Sequence, residues 1–162
     1  GVPVCLTVTH LDGFVLARSA FHHSMNYRSV MLFGCAERVP EGAAKQAALR
    51  AFVERMWPGR APSLRPDNEQ ELKATMVLRM PIEEASAKIR TGPPKDDEED
   101  YALSIWAGVI PVRQVVGEAL ADPRLAEGIP TPDHVLGFAP GARLDVVLEQ
   151  RAQSSKVAQT AA

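Results

Sequence analysis

The rhythm of apolar and polar positions changes along the chain. Residues 4 to 9, VCLTVT, are β-branched or apolar at most positions and predict a strand. Asp12-Gly13 follows as a tight-turn signal, and FVLARSA as a second strand, so the pattern predicts a hairpin. Residues 28 to 39, RSVMLFGCAERV, form the most strand-like segment. Its centre, Val30 to Phe33, is apolar on both faces, which predicts cover on both sides. Gly34 marks a bulge or the close approach of another group.

The period then becomes helical. Ala44, Ala48, Phe52 and Met56, with Leu49 and Val53, predict a helix over 42–57 that Pro58-Gly59 ends. Asp67 is expected to cap a short second helix, with Gln70 completing a capping box. TMVLRM (75–80) and ASAKIR (85–90) return to extended character, TGPPKDDEED is a loop by composition, and WAGVIPVRQVV contains the last clear strand. Pro111 places that strand at an edge or a bulge. After residue 120 the stretch DPRLAEGIPTPD is turn-rich, GARLDVVLEQR suits a short strand or a helix, and residues 152–162 are expected to be disordered. Strands and helices do not alternate as in a doubly wound sheet, so the order suits an antiparallel barrel with a helical insertion.

A length of 162 residues, 46% hydrophobic content and a net charge of -2 fit one soluble core without the basic excess of a nucleic-acid binder. No apolar run reaches the length of a membrane span and nothing at the start reads as a signal peptide, so a cytoplasmic protein is expected. Cys5 and Cys35 sit in apolar runs without paired metal spacing and are expected as buried thiols.

SAFHHSMNYRSV, residues 19–30, concentrates the candidate chemistry. His22 and His23 are adjacent, and adjacent residues of an extended segment face opposite ways, which argues against one shared metal ion. They are either satisfied locally or contact a ligand. Asn26, Tyr27, Arg28 and Ser29 offer an amide, a phenol, a guanidinium and a hydroxyl just before the apolar strand centre. Arg28 suits a phosphate or a reduced flavin ring, and equally a structural carboxylate. Ser24 adjoins His23, yet no G-x-S-x-G elbow surrounds it, and neither G-x-G-x-x-G nor G-x-x-x-x-G-K-[ST] occurs. Lys88 and Arg90, two apart, project from one face if extended, as an anion site or a solvated edge. Asp96 to Asp100 is expected as a solvated loop. Trp106 is expected in a core or interface, or flanking a flat ligand.

Three blocks occur in a shared order: GVPVCLTVTHLDGFVLARSAFHHSMNYRSVMLFG, EASAKIRTGPPKDDEEDY and WAGVIPV. Together, over Gly1 to about Arg124, they resemble the flavin-nucleotide-binding proteins of the pyridoxamine 5'-phosphate oxidase superfamily, which also includes relatives of nitroimidazole-resistance reductases. The resemblance implies a mainly β fold with α insertions, an FMN-binding split β-barrel, with FMN held at a homodimer interface and small-molecule redox through the flavin; F420 and haem are the alternative cofactors. It implies residues 1–124 as the barrel portion, with a helical insertion at about 42–73, and 125–162 as an extension. Arg28-Ser29-Val30, with Gly34 beyond, resembles the oxidase's Arg-Gln-Val strand, whose Gln touches FMN; Ser29 stands in the Gln position. Trp106 matches the oxidase's flavin-side Trp. The cofactor-binding set implied is His22, His23, Asn26, Tyr27, Arg28, Ser29, Lys88, Arg90 and Trp106, with no metal site.

The oxidase's substrate-phosphate residues, a Tyr and an Arg on a helix, have no counterpart in 42–57, which argues against pyridoxamine phosphate as substrate. Family members also carry strands before the position of Gly1, including a Ser-and-basic segment that grips the FMN phosphate. The chain is therefore expected to be a partial barrel, a fragment or a late-starting reading frame, and to bind FMN poorly by itself. An FMN-dependent oxidoreductase, a non-catalytic flavin-binding module and an inactive partial barrel all remain open.

Overall fold

The structure, a computed structural model, describes residues 1–160, and of residues 152 and 154–160 only the backbone. The chain divides into two compact units, one formed by Gly1–Glu37 and Leu78–Arg113, the other by Arg38–Val77 and the chain from Gln114 on.

The first unit is an antiparallel sheet. Two long strands, β1 (Val2–Leu16) and β2 (Ser24–Arg38), pair along their length, from Val2 opposite Ala36 to Val15 opposite Ser24. β2 carries β3 (Leu78–Arg79) and β4 (Glu84–Arg90) on its other edge, and the end of β1 pairs with β5 (Gly108–Pro111). The result is an open, mainly antiparallel sheet with the order β3-β2-β1-β5 and β4 beside β2.

The expected hairpin turn at Asp12-Gly13 is not a turn. β1 runs straight through it, and the pair forms a bulge where the register shifts between Leu11 and Gly13. The close packing explains the glycine: a Cβ at Gly13 would lie 2.9 Å from the Ile110 carbonyl oxygen and 3.1 Å from Val109 Cγ1. The chain reverses later, through a single 3₁₀ turn over Ala20–His22. Gly34 meets the close approach expected of it, since a Cβ there would collide with the Pro81 carbonyl oxygen and Met80.

The double cover expected for Val30 to Phe33 is not found among the described residues. Val30, Met31 and Phe33 are exposed, as are Val2, Val4, Leu6 and Val8 on β1. β5 reaches only Gly13–Leu16, so the outer edge of β1 from Val2 to Leu11 has no strand partner among the described residues. Cys5 is exposed and Cys35 half-buried, correcting the expectation of buried thiols; both are free.

In the second unit, α1 (Ala43–Met56) follows the predicted helix and ends at Trp57 before Pro58-Gly59. Lys45, in its first turn, is buried to 1% exposure and donates from Nζ to Glu41 Oε2 at 3.0 Å and to the Leu72 carbonyl oxygen. That ties α1 to α2 (Glu69–Ala74). The capping box of α2 sits one residue beyond the expected pair. Asn68 Oδ1 accepts from the Glu71 N–H at 2.9 Å, and Glu71 Oε2 accepts from the Asn68 N–H at 3.0 Å. Arg65 completes the corner on Glu71, whose carboxyl is lowered to about 2, chiefly by the Arg65 guanidinium and then by the Asn68 N–H. α3 (Asp133–Leu136) and α4 (Leu144–Thr160) complete the unit, with Val147 buried and a β-bridge joining Val115 to Arg143. Residues 152–160, expected as part of a disordered tail, continue the backbone of α4, and residues 161–162 of that tail lie outside the described residues.

Candidate functional site

All nine candidate residues lie in the first unit. Cross-strand partners share a face. Thr9, Ser29 and Lys88 form one row across β1, β2 and β4, and Leu11, Tyr27 and Arg90 form the next row on the same face. Ser29 Oγ lies 2.8 Å from Thr9 Oγ1, so one hydroxyl donates to the other and an acceptor site remains open. The Lys88 side chain has no hydrogen bond or ion pair among the described residues. Arg90 donates from Nη1 to Asn26 Oδ1 at 3.1 Å, and Asn26, buried to 8% exposure, donates from Nδ2 to the Gly92 carbonyl oxygen at 3.0 Å. The structure thus brings together Asn26, Tyr27, Ser29, Lys88 and Arg90, and adds Thr9, which the sequence did not single out.

Arg28 lies on the opposite face, paired across to His10 and Ile89. Its Nε and Nη2 each donate to the Asp12 carboxylate at 2.9 Å, the fork geometry of a structural ion pair. The carboxylate comes from the bulge itself, which brings Asp12 within reach of Arg28.

The histidines lie in the turn just before β2, His23 six residues ahead of Ser29, which is roughly 20 Å of extended chain. His22 Nε2 lies 3.4 Å from Asp97 Oδ2. His23 Nδ1 lies 2.8 Å from the Ser19 carbonyl oxygen. A carbonyl only accepts, so Nδ1 is the donor in this contact and Nε2 is the ring nitrogen left over for another partner. Trp106 is 67% exposed and lays its indole against Gly108, where a Cβ would come within 3.0 Å of the ring; it sits before β5 rather than in it.

The acidic run is not uniformly solvated. The Asp96 side chain is fully covered and accepts from the Arg18 N–H at 2.8 Å and from Arg18 Nη1 at 2.9 Å. Burial pushes this carboxyl up, and the Arg18 hydrogen bonds outweigh it and hold the group below its usual range. Arg18 also stacks over Tyr101, 4.9 Å from the ring centre. Together these contacts fix the loop carrying Asp97 beside the histidine turn. Among the described residues no group of three His, Cys, Asp or Glu side chains is placed to hold a metal ion, and no helix is long and apolar enough to cross a membrane.

Two solved structures are closely similar. The flavocytochrome Anf3 from Azotobacter vinelandii matches at 50% identity and a TM-score of 0.79, over 86% of this chain and 65% of that one. The FAD and heme binding protein from Mycobacterium smegmatis matches at 40% identity and a TM-score of 0.77, over 87% of this chain and 69% of that one. This chain therefore spans less than two thirds of the flavocytochrome's length. Its open antiparallel sheet is the same fold as these flavin-binding proteins'. No curated protein matches significantly. The family model described as pyridoxamine 5'-phosphate oxidase matches residues 1–89, and the chain belongs to that family.

Proposed function

We propose that the chain binds a flavin nucleotide along the Thr9–Ser29–Lys88 face and passes electrons to or from a small molecule through it. The observation that carries this reading is the unpaired Lys88 ammonium beside two hydroxyls and Arg90 on one exposed, three-stranded face. A cation with adjoining hydroxyl groups is what a phosphate or pyrophosphate needs. Tyr27 and Leu11 in the next row offer flat and apolar surface to a ring. FMN follows from family membership and FAD from the Mycobacterium smegmatis relative. Either flavin supplies hydride and electron transfer, so the protein's part is to hold and orient the ring.

A second cofactor is favoured by one specific contact. Both similar structures are haem proteins by description, and an axial histidine commonly donates its other ring N–H to a carbonyl or carboxylate. His23 has that arrangement toward Ser19, and its imidazole is exposed for ligation. His23 would be the residue to hold a haem iron, with His22, beside Asp97, as its neighbour.

The exposed Val2, Val4, Leu6 and Val8, with the free edge of β1, support a homodimer built on this sheet. The free thiols suit a cytoplasmic setting.

The test is titration of the purified chain with FMN, FAD and riboflavin, read by flavin fluorescence, followed by an NAD(P)H assay with an electron acceptor. Lys88→Ala should weaken FMN or FAD about tenfold and leave riboflavin unchanged, since only the phosphate contact is lost. Equal loss for all three, or none, removes Lys88 from the site. Flavin binding without turnover reduces the function to a binding module. Sedimentation of the chain reads the dimer.

A further inference from the structure

The second unit contains a cavity of about 650 Å³ that the flavin reading does not use. Trp57, at the end of α1, lines it with Val116, Val135 and Phe138, and two polar side chains, Arg60 and His134, join them. The volume lies in the range of small-molecule sites, and an apolar wall with a few polar groups is their usual composition.

Two independent features bear on the chemistry this cavity would take. His134 Nε2 is buried with no hydrogen-bond partner among the described residues, an uncommon and costly state. The Arg60 guanidinium has no hydrogen bond or ion pair among the described residues, and no carboxylate lines the cavity. Arg60 is exposed beside this apolar wall with no carboxylate among the lining residues, which disfavours cationic ligands and favours anions. The apolar remainder favours a hydrocarbon or aromatic body over a free inorganic anion. The planar fork of the Arg60 guanidinium matches a carboxylate with paired N–H donors.

We propose that this cavity binds an apolar carboxylic acid with a hydrocarbon body, the carboxylate on Arg60 and His134 and the body against Trp57 and Phe138. The pocket's walls come entirely from the second unit, so the proposal stands apart from the flavin site.

Calorimetric titration of the full chain with dodecanoate and with dodecan-1-ol tests it. Dodecanoate should bind saturably at one site, and more tightly than the alcohol. Arg60→Gln should weaken dodecanoate about tenfold and leave the alcohol unchanged, whereas Arg55→Gln, on the same unit but outside the cavity, should change neither. Val116→Trp, which fills the cavity, should abolish both. The proposal is overturned if no saturable binding occurs. It is also overturned if acid and alcohol bind alike and ignore Arg60→Gln. Hydrogen-exchange protection at 133–138 that rises with protein concentration would instead assign the face to a second copy, and would overturn it too.

Discussion

Asp96 holds Arg18 twice, accepting from its backbone N–H and from its guanidinium, although the two residues stand 78 positions apart. The pair fastens the loop after β4 to the end of β1. Asp96→Ala leaves the guanidinium beside Tyr101 without its carboxylate and should lower the thermal midpoint clearly. Asp97→Ala, at a largely exposed side chain, should change stability by less than about 0.5 kcal/mol. Thermal melts of the two variants separate these neighbours. Equal midpoints would remove the special role of Asp96.

Gly34→Ala should be severely destabilising, by about 1–3 kcal/mol or more, because its Cβ would meet the Pro81 carbonyl oxygen. Gly117→Ala, where nothing lies within 4 Å, is the matched control and should be close to neutral. Urea denaturation measures both.

Asn68→Ala removes the cap of α2 and should cost about 1 kcal/mol, while Asp67→Ala should leave the helix start intact. Chemical denaturation monitored by circular dichroism distinguishes the two positions.

The same corner sets an acid response. The Glu71 carboxyl is depressed to about 2 by Arg65 and the Asn68 N–H, so its contribution is present above its ordinary carboxylate value. That contribution should fade as pH falls from the ordinary range toward about 2. Glu71→Gln should flatten this part of the stability–pH curve, measured by thermal midpoint across pH 2 to 6. An unchanged curve would show that the pair does not hold in solution.

Arg28 and Asp12 should show modest coupling, about 0.2–1 kcal/mol in a double-mutant cycle, as half-exposed partners do. Arg28→Ala should leave FMN affinity unchanged, in contrast to Lys88→Ala. If Arg28→Ala releases flavin while folding normally, the guanidinium serves the ligand rather than the bulge.

The long-period signals were legible in the sequence. The spacing of Ala44, Ala48, Phe52 and Met56 located α1, and Gly34 betrayed a close backbone approach. Short polar signals were ambiguous. Asp12-Gly13 has the composition of a turn, yet β5 packing on Gly13 makes it a bulge, and only the fold shows that Asp12 then meets Arg28. Asp67 and Asn68 are both good caps, and the choice falls to the residue that reaches Glu71. Asp96 reads as one charge among many because its partner lies in a distant strand. The site behaves likewise: Lys88 and Arg90 were legible as one face, whereas the Thr9–Ser29 contact depends on strand register.

Along the outer edge of β1 from Val2 to Leu11, no strand pairs among the described residues. Val4, Leu6 and Val8 alternate with Cys5, Thr7 and Thr9 along it, so the edge works as a ruler with a two-residue spacing. A strand that docks there must match the ruler, because a slip of one residue would turn its apolar side chains from the valine and leucine side to the threonine side. Any association through this margin therefore selects its own register: only alternate alignments lay the incoming apolar side chains beside Val4, Leu6 and Val8.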